Sequence, residues 1–257
     1  MLFYFTATGN SLFVAQKLDK KPISIPQELK KQNLLYQDDV IGIVCPIYAG
    51  ELPRIVQKFI KYSSIKAKYI YLILTYGNDD TVACQWSKKF CENNNIHVNY
   101  IHTIKMVDNY LPTFNMDEQM NIDKHENEQI KTVIEEIQQK KCFIPKSTKQ
   151  AQKLYATVAK KMKEHPELNN GKNIIMSDRC EGCTICQQVC PTGNIVLQNR
   201  KAKRIHQTCD FCLSCVHNCP FKAIDLVIDK NPKARYRHPL ISLKDIVKSN
   251  NQGGNTK

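Results

Sequence analysis

The chain has 257 residues, 42% of them hydrophobic and 24% charged, which suits a globular protein of one domain plus a smaller module. No apolar run approaches the roughly 20 residues that span a bilayer, the longest clear one being Tyr69 to Tyr76, so no membrane span is expected. The formal net charge of +13 would suit a nucleic-acid partner, but the lysines are spread over nearly every expected helix and no aromatic-basic motif accompanies them, so no nucleic acid is expected either.

Taken in order, Leu2 to Phe5 reads as a buried strand, too short for a signal sequence and without a preceding basic residue, and a cytoplasmic, reducing location is expected. The loop Thr6-Ala7-Thr8-Gly9-Asn10-Ser11 follows, then a helix carrying Leu12, Phe13, Val14, Ala15 and Leu18. Hydroxyls of Thr6, Thr8 and Ser11, the Asn10 amide and the N–H groups of the helix start would surround a phosphate, with Gly9 letting the backbone approach. An ordinary capped helix is the alternative. Neither a Gly-x-Gly-x-x-Gly pattern nor a P-loop is present, which argues against a dinucleotide or a nucleoside triphosphate.

Ile23 to Ile25 is a weak edge strand. Val40 to Cys45 is apolar enough for a buried parallel strand and ends in Pro46-Ile47-Tyr48-Ala49-Gly50 before a helix with Pro53 in its first turn. Tyr69 to Thr75 is a third strand, ending in Tyr76-Gly77-Asn78-Asp79. The helix Thr81 to Cys91 should pack through Val82, Trp86 and Phe90, with Cys84 and Cys91 on a core-facing stripe. Ile96 to Ile104 is the next strand, and Lys105 to Pro112 a loop beyond it. Ile130, Val133, Ile134 and Ile137 mark a helix closing the sheet. The helix Ser147 to Glu164, with Leu154, Val158 and Met162 on one face, reads as a connector. Strands alternating with helices imply a parallel sheet with right-handed crossovers.

The T-x-T-G-N-S loop resembles the phosphate loop of flavodoxins. The resemblance implies an α/β fold, a flavodoxin-like doubly wound parallel five-stranded sheet over residues 1–145, with the ligand at the switch point beyond strands one and three. It also implies FMN, its phosphate on Thr6, Thr8, Gly9, Asn10 and Ser11. The flavin ring would lie between the loop of Tyr48 and that of Tyr76, Gly77 and Asn78.

The strongest signal is C-x2-C-x2-C-x3-C-P written twice: Cys180, Cys183, Cys186, Cys190, Pro191, then Cys209, Cys212, Cys215, Cys219, Pro220, the second copy 29 residues after the first throughout. A thiolate at every third residue wraps a loop round a cubane corner, and the fourth serves the neighbouring cluster. Zinc would need four ligands, usually in two separated pairs, and cysteines so close in sequence are poorly placed for disulfides. Residues 173–230 resemble bacterial-type ferredoxins with two [4Fe-4S] clusters, small α+β units. Carried over, one cluster takes Cys180, Cys183, Cys186 and Cys219, the other Cys209, Cys212, Cys215 and Cys190. The apolar runs from Ile195 to Leu197 and from Ile224 to Ile228 stand at matching places in the repeat and are expected to pair as edge strands. Cys45, Cys84, Cys91 and Cys142 are read as small buried hydrophobes or inert thiols, and His217 as an outer neighbour of the cluster ligands.

Eight thiolates, two cluster cores and a flavin phosphate would bring the net charge to roughly +7. The dense patch Arg200 to Arg204 lies between the motifs, either a solvated loop or a docking patch for an acidic redox partner protein. Residues 146–172 are expected as a helical connector, and 231–257 as a tail with a short helix at Leu243 to Val247 and a disordered end. The whole chain is similar to flavodoxin-ferredoxin fusion proteins of anaerobes, which implies electron transfer between two [4Fe-4S] clusters and FMN. The alternatives are a flavin-dependent reductase acting on an organic substrate or a pyridine nucleotide, and a ferredoxin-type carrier without flavin. No catalytic residues are identified.

Overall fold

The computed structural model describes residues 1–207 and 209–253. The first strand, β1 (Leu2–Tyr4), sends Leu2 and Tyr4 into one core and Phe3 into another, joined there by Phe5. Both faces are covered, so the segment is apolar at every position, as a strand buried on both sides must be. It is followed by α1 (Asn10–Leu18), β2 (Ile23–Ser24), α2 (Ile25–Glu28), β3 (Leu35–Pro46), α3 (Arg54–Tyr62), β4 (Ser64–Tyr76), α4 (Ala83–Glu92) and β5 (Tyr100–Lys105). All pairings are parallel, and the five strands run in the order β2-β1-β3-β4-β5. Helices α1 and α6 (Glu126–Gln138) cover one face, α3 and α4 the other. The expected parallel α/β sheet is therefore present. The strand order reverses between β1 and β3, which opens a crevice at their carboxyl ends.

Several boundaries differ from the sequence expectation. Strands β3 and β4 begin at Leu35 and Ser64, ahead of their apolar runs, because the ladder from Leu35↔Ser64 to Asp38↔Ala67 continues where the strands emerge from beneath the helices. Strand β5 begins only at Tyr100; Ile96 and Val98 are buried but unpaired with the sheet. In α4 Cys84 and Cys91 are buried as expected, together with Ala83 and Ser87, while Trp86 and Phe90 pack partly buried against the same core and stack on each other at 5.0 Å.

Beyond α5 (Met116–Met120) and α6 come α7 (Lys149–Glu164), β6 (Ile174–Met176), α8 (Ile185–Gln188), β7 (Ile195–Gln198), β8 (Lys201–Arg204), α9 (Ser214–Asn218), β9 (Ile224–Leu226) and α10 (Leu243–Asn250). The runs at Ile195 and Ile224 do not pair with each other, contrary to expectation. Instead β7 forms an antiparallel hairpin with β8, and β9 pairs with β6. Asn199 and Arg200 both have positive φ, 51° and 61°, the geometry of a two-residue hairpin turn that carries the chain straight back. The basic Arg200 to Arg204 patch is thus mostly a strand. The α1 and α6 core runs on into this module through Ile174, Val189, Ile195, Val216 and Ile224.

The chain end returns to the sheet. Helix α10 starts with a capping box between Ser242 and Asp245 and runs three residues past the expected end. Tyr4 Oη lies 2.6 Å from Ser249 Oγ, and Asn250 Nδ2 donates to Thr6 O at 2.9 Å and Val189 O at 3.4 Å. Of the end expected to be disordered beyond Val247, residues 248–250 are instead helical, and 254–257 lie outside the described residues. Among the described residues no helix is long and apolar enough to cross a membrane.

Arg235 and Asp229 pair at 3.1 Å with side chains only 7% and 3% exposed. Arg235→Met, which strands the Asp229 charge, should cost about 3–5 kcal/mol. Lys88→Met, which removes an exposed pair with Glu92 on α4, should cost under about 0.5 kcal/mol. Denaturant midpoints of the anaerobically reconstituted proteins check both.

Candidate cofactor sites

The cysteine motifs are shaped by a repeated set of left-handed residues. Gly182 (φ 71°), Thr184 (φ 67°) and Gly193 (φ 64°) recur 29 residues later as Phe211 (φ 49°), Leu213 (φ 58°) and Lys222 (φ 47°). These kinks turn the chain around its own cysteines, and the single-turn helices α8 and α9 then carry Cys186 and Cys215. Cys180, Cys183, Cys186 and Cys219 line one small void, and Cys190, Cys209, Cys212 and Cys215 line another. The fourth thiol of each motif has crossed to the other set. Among the described residues no three His, Cys, Asp or Glu side chains converge tightly enough for a single metal ion; each set stands around a space rather than a point.

Backbone donors point at these sulfurs. Asn194 N lies 3.2 Å from Cys190 Sγ and Ala223 N 3.3 Å from Cys219 Sγ, a repeat-related pair, while Ala202 N donates to Cys180 Sγ at 3.4 Å and Phe211 N to Cys209 Sγ at 3.3 Å. Burial, then the neighbouring thiolates, pushes Cys186 up to about 12 and Cys212 and Cys215 well above the usual thiol value. Thiolates crowded in this way are stabilised by a strongly positive core, which is what iron supplies. The first set is the outer one, with Cys183 exposed. Lys201 Nζ donates to the carbonyls of Asp178 and Cys180, both at 2.8 Å, beside it.

A separate cleft of about 550 Å³ opens at the carboxyl ends of the sheet strands. Thr6, Thr8, Asn10, Ser11, Tyr48, Tyr76, Gly77 and Asn78 all line it. Gly9 does not. With φ +109°, it is pressed against the C-terminal segment, where a Cβ would sit 2.8 Å from the Cβ of His238, so this glycine is required by packing and backbone shape. Gly77 is equally confined, a Cβ there falling 2.3 Å from that of Asp108.

Several loop side chains are already engaged. Asn10 Nδ2 donates to Val107 O at 3.0 Å and Oδ1 accepts from Tyr236 Oη at 2.7 Å, so its amide braces the loop. Thr8 Oγ1 accepts from Asn109 Nδ2 at 2.6 Å, Thr6 Oγ1 accepts from Gly9 N at 3.0 Å, and Ser11 Oγ lies 2.8 Å from Thr75 Oγ1. Helix α1 has no side-chain cap. The capping side chain of the alternative reading is absent, and the first-turn N–H groups of this nine-residue helix, which have no intrahelical acceptor, begin at the cleft. An uncapped helix start, hydroxyls on the same loop and two tyrosine loops above it fit a phosphate bearing a planar ring.

The sequence did not indicate the other two walls. One is α7, whose Leu154, Val158 and Met162 line the cleft together with Tyr155, which donates to Glu51 Oε1 at 2.6 Å. The apolar stripe was visible in the sequence; what it faces was not. The other is Asp210 to Leu213 of the second cysteine motif. Asp210 Oδ2 accepts from Ile55 N at 3.1 Å at the start of α3, Arg54 Nη1 donates to Cys209 O at 3.3 Å, and Ser214 Oγ donates to Ala7 O at 2.8 Å. His217, pushed down to about 4 by burial, takes Tyr236 N on Nδ1 and reaches Asn109 O from Nε2 at 2.9 Å. It is a strut between loops. Of the remaining cysteines, Cys45, Cys84 and Cys91 are buried as expected, and Cys142 is exposed.

A family profile described as a 4Fe-4S dicluster domain matches residues 179–224. No curated protein matches the chain. The N-terminal parallel sheet is followed by a small ferredoxin-like 4Fe-4S domain with short antiparallel strands.

The crossing of the fourth thiols can be tested. Cys190→Ala should mainly perturb the cluster set with Cys209, Cys212 and Cys215, and Cys219→Ala the other, each loosening both halves because metal ligation supplies folding free energy. Cys84→Ala should leave iron unchanged and cost about 1 kcal/mol of packing. Iron and sulfide counts with EPR decide; a Cys190→Ala protein with both clusters intact would refute the crossing.

Proposed function

We propose that the protein is an intramolecular electron carrier holding two [4Fe-4S] clusters and FMN, as its resemblance to flavodoxin-ferredoxin fusions implies. One observation carries the reading: the cleft bounded by the Thr6 to Ser11 loop and the two tyrosine loops has Cys212 of the second thiol set in its wall. A flavin seated there would lie against the loop that holds the inner cluster. In this reading Cys180, Cys183, Cys186 and Cys219 hold the outer cluster, and Cys190, Cys209, Cys212 and Cys215 the inner. Thr6, Thr8, Ser11 and the α1 N-terminus take the phosphate. Tyr48, Tyr76, Gly77 and Asn78 flank the ring, with Gly9 and Asn10 shaping the loop.

When bound, the clusters exchange single electrons and the flavin one or two, so together they match one-electron to two-electron partners. The chain's own residues set the access. Asp210, Arg54 and Ser214 lock the inner cage to the sheet. Cys183, Arg200, Lys201 and Lys203 are exposed around the outer cage, a basic rim suited to an acidic redox protein. Eight unpaired motif thiols suit a reducing cytoplasm.

Anaerobic reconstitution should give about eight irons and one FMN per chain, reduced by dithionite or ferredoxin and not directly by NADH or NADPH. Full iron without retained flavin would leave a ferredoxin-type carrier, and flavin bleaching by a pyridine nucleotide would favour a reductase. Separately, Arg200→Glu with Lys203→Glu should slow reduction by an acidic ferredoxin roughly tenfold at low salt, the difference shrinking as salt is raised.

A further inference from the structure

Tyr48 stands just beyond β3, fixed by a reciprocal backbone pair with Glu51: Tyr48 N donates to Glu51 O at 2.9 Å, and Glu51 N to Tyr48 O at 3.0 Å. Its side chain forms part of the cleft wall. It also packs against the α3 and α4 core, and Cys212 packs on that same core. The hydroxyl is sealed from solvent and has no hydrogen-bond partner among the described residues. A buried hydroxyl left in that state costs on the order of 1–3 kcal/mol, and such a group calls for an acceptor supplied by something bound.

Its neighbours indicate which acceptor. Asp210 and Cys212 line the same cleft as Tyr48, Cys212 packs on the same core, and Cys45 is buried within that core. The Asp210 carboxylate is already held by Ile55 N. Cys45 is on β3 and fully buried in the core between the sheet and helices α3 and α4. Cys212 and Cys209 belong to the inner thiol set.

We propose that the Tyr48 hydroxyl donates a hydrogen bond to a sulfur of the inner cluster while its ring forms the flavin-facing wall, making Tyr48 the side chain that joins the two cofactor sites. This goes beyond the electron-carrier reading and rests on it for the identity of the two groups. The backbone donors to Cys190 and Cys219 are related by the 29-residue repeat, so they treat the clusters alike. Tyr48 comes from outside the repeat and acts on one cluster only. A donor to sulfur favours the more negative, reduced cluster, so Tyr48 raises the potential of the inner cluster relative to the same cage without it.

The test is an anaerobic redox titration followed by EPR on reconstituted wild type, Tyr48→Phe and Tyr76→Phe. Tyr48→Phe keeps the ring and should move one cluster potential to a more negative value, leave the other in place and retain iron. Tyr76→Phe alters the same cleft on the opposite loop and should move neither. Replacing Tyr48 by a ring-fluorinated tyrosine, a stronger donor, should shift the same cluster the opposite way, and it decides the matter should Tyr48→Phe lose its inner cluster. Unchanged potentials with both substitutions, or equal shifts of both clusters, would overturn the proposal. The titration reads the clusters alone, so a protein that never binds flavin would sink the electron-carrier reading while leaving this hydrogen bond measurable.

Discussion

Four thiolates around one small void repel one another unless a positive core lies between them, and the cysteine module has two such voids sharing their ligands crosswise. Its own sheets are two-stranded pairs, too small to be stable unaided. Two supports remain. One is metal binding, which converts ligation energy into folding energy. The other is the larger sheet, whose core continues into the module through Val189, Val216 and Ile224. The inner cage is thereby held against the crevice where the strand order reverses.

The C-terminal segment serves the same end from behind the loop. Tyr236 fixes Asn10, His238 stacks on Phe13 with ring centres 4.2 Å apart and donates its backbone N–H to Thr8 O at 2.8 Å, and Asn250 binds Thr6 O. The loop's side chains are thus organised before anything binds, and the uncapped α1 start is left for an anion. Preorganisation of this kind lowers the ordering cost of binding.

The cysteine spacing was legible because ligand geometry is imposed over a few residues, and β1, β3 and β4 because strands buried on both faces are apolar throughout. Partner choice was not legible. Ile195 and Ile224 look equivalent in the repeat, yet a tight turn at Asn199 and Arg200 gives β7 a local partner, and β6, three residues with no clear signal, takes β9. On α4 the stripe of Cys84 and Cys91 is buried as read, Trp86 and Phe90 pack partly buried against the same core, and only the burial of Ser87 between them had no signal. For α7 the stripe of Leu154, Val158 and Met162 was clear, but a helix with no fully buried residue gives no sign of the cleft it borders. Gly9 in a loop of hydroxyls reads as allowing ligand approach; only the fold reveals His238 on its other side.

In the proposed electron carrier a flavin and the inner cluster share one wall. An anaerobic crystal structure of the reconstituted protein, with anomalous data at the iron edge, tests it most directly. The account predicts iron at both thiol sets, with Cys219 at the outer and Cys190 at the inner, and a flavin ring in the cleft beside Tyr48 on the Cys212 side. Iron confined to one set, single metal ions in place of clusters, or a flavin bound away from the Asp210 to Leu213 loop would contradict it.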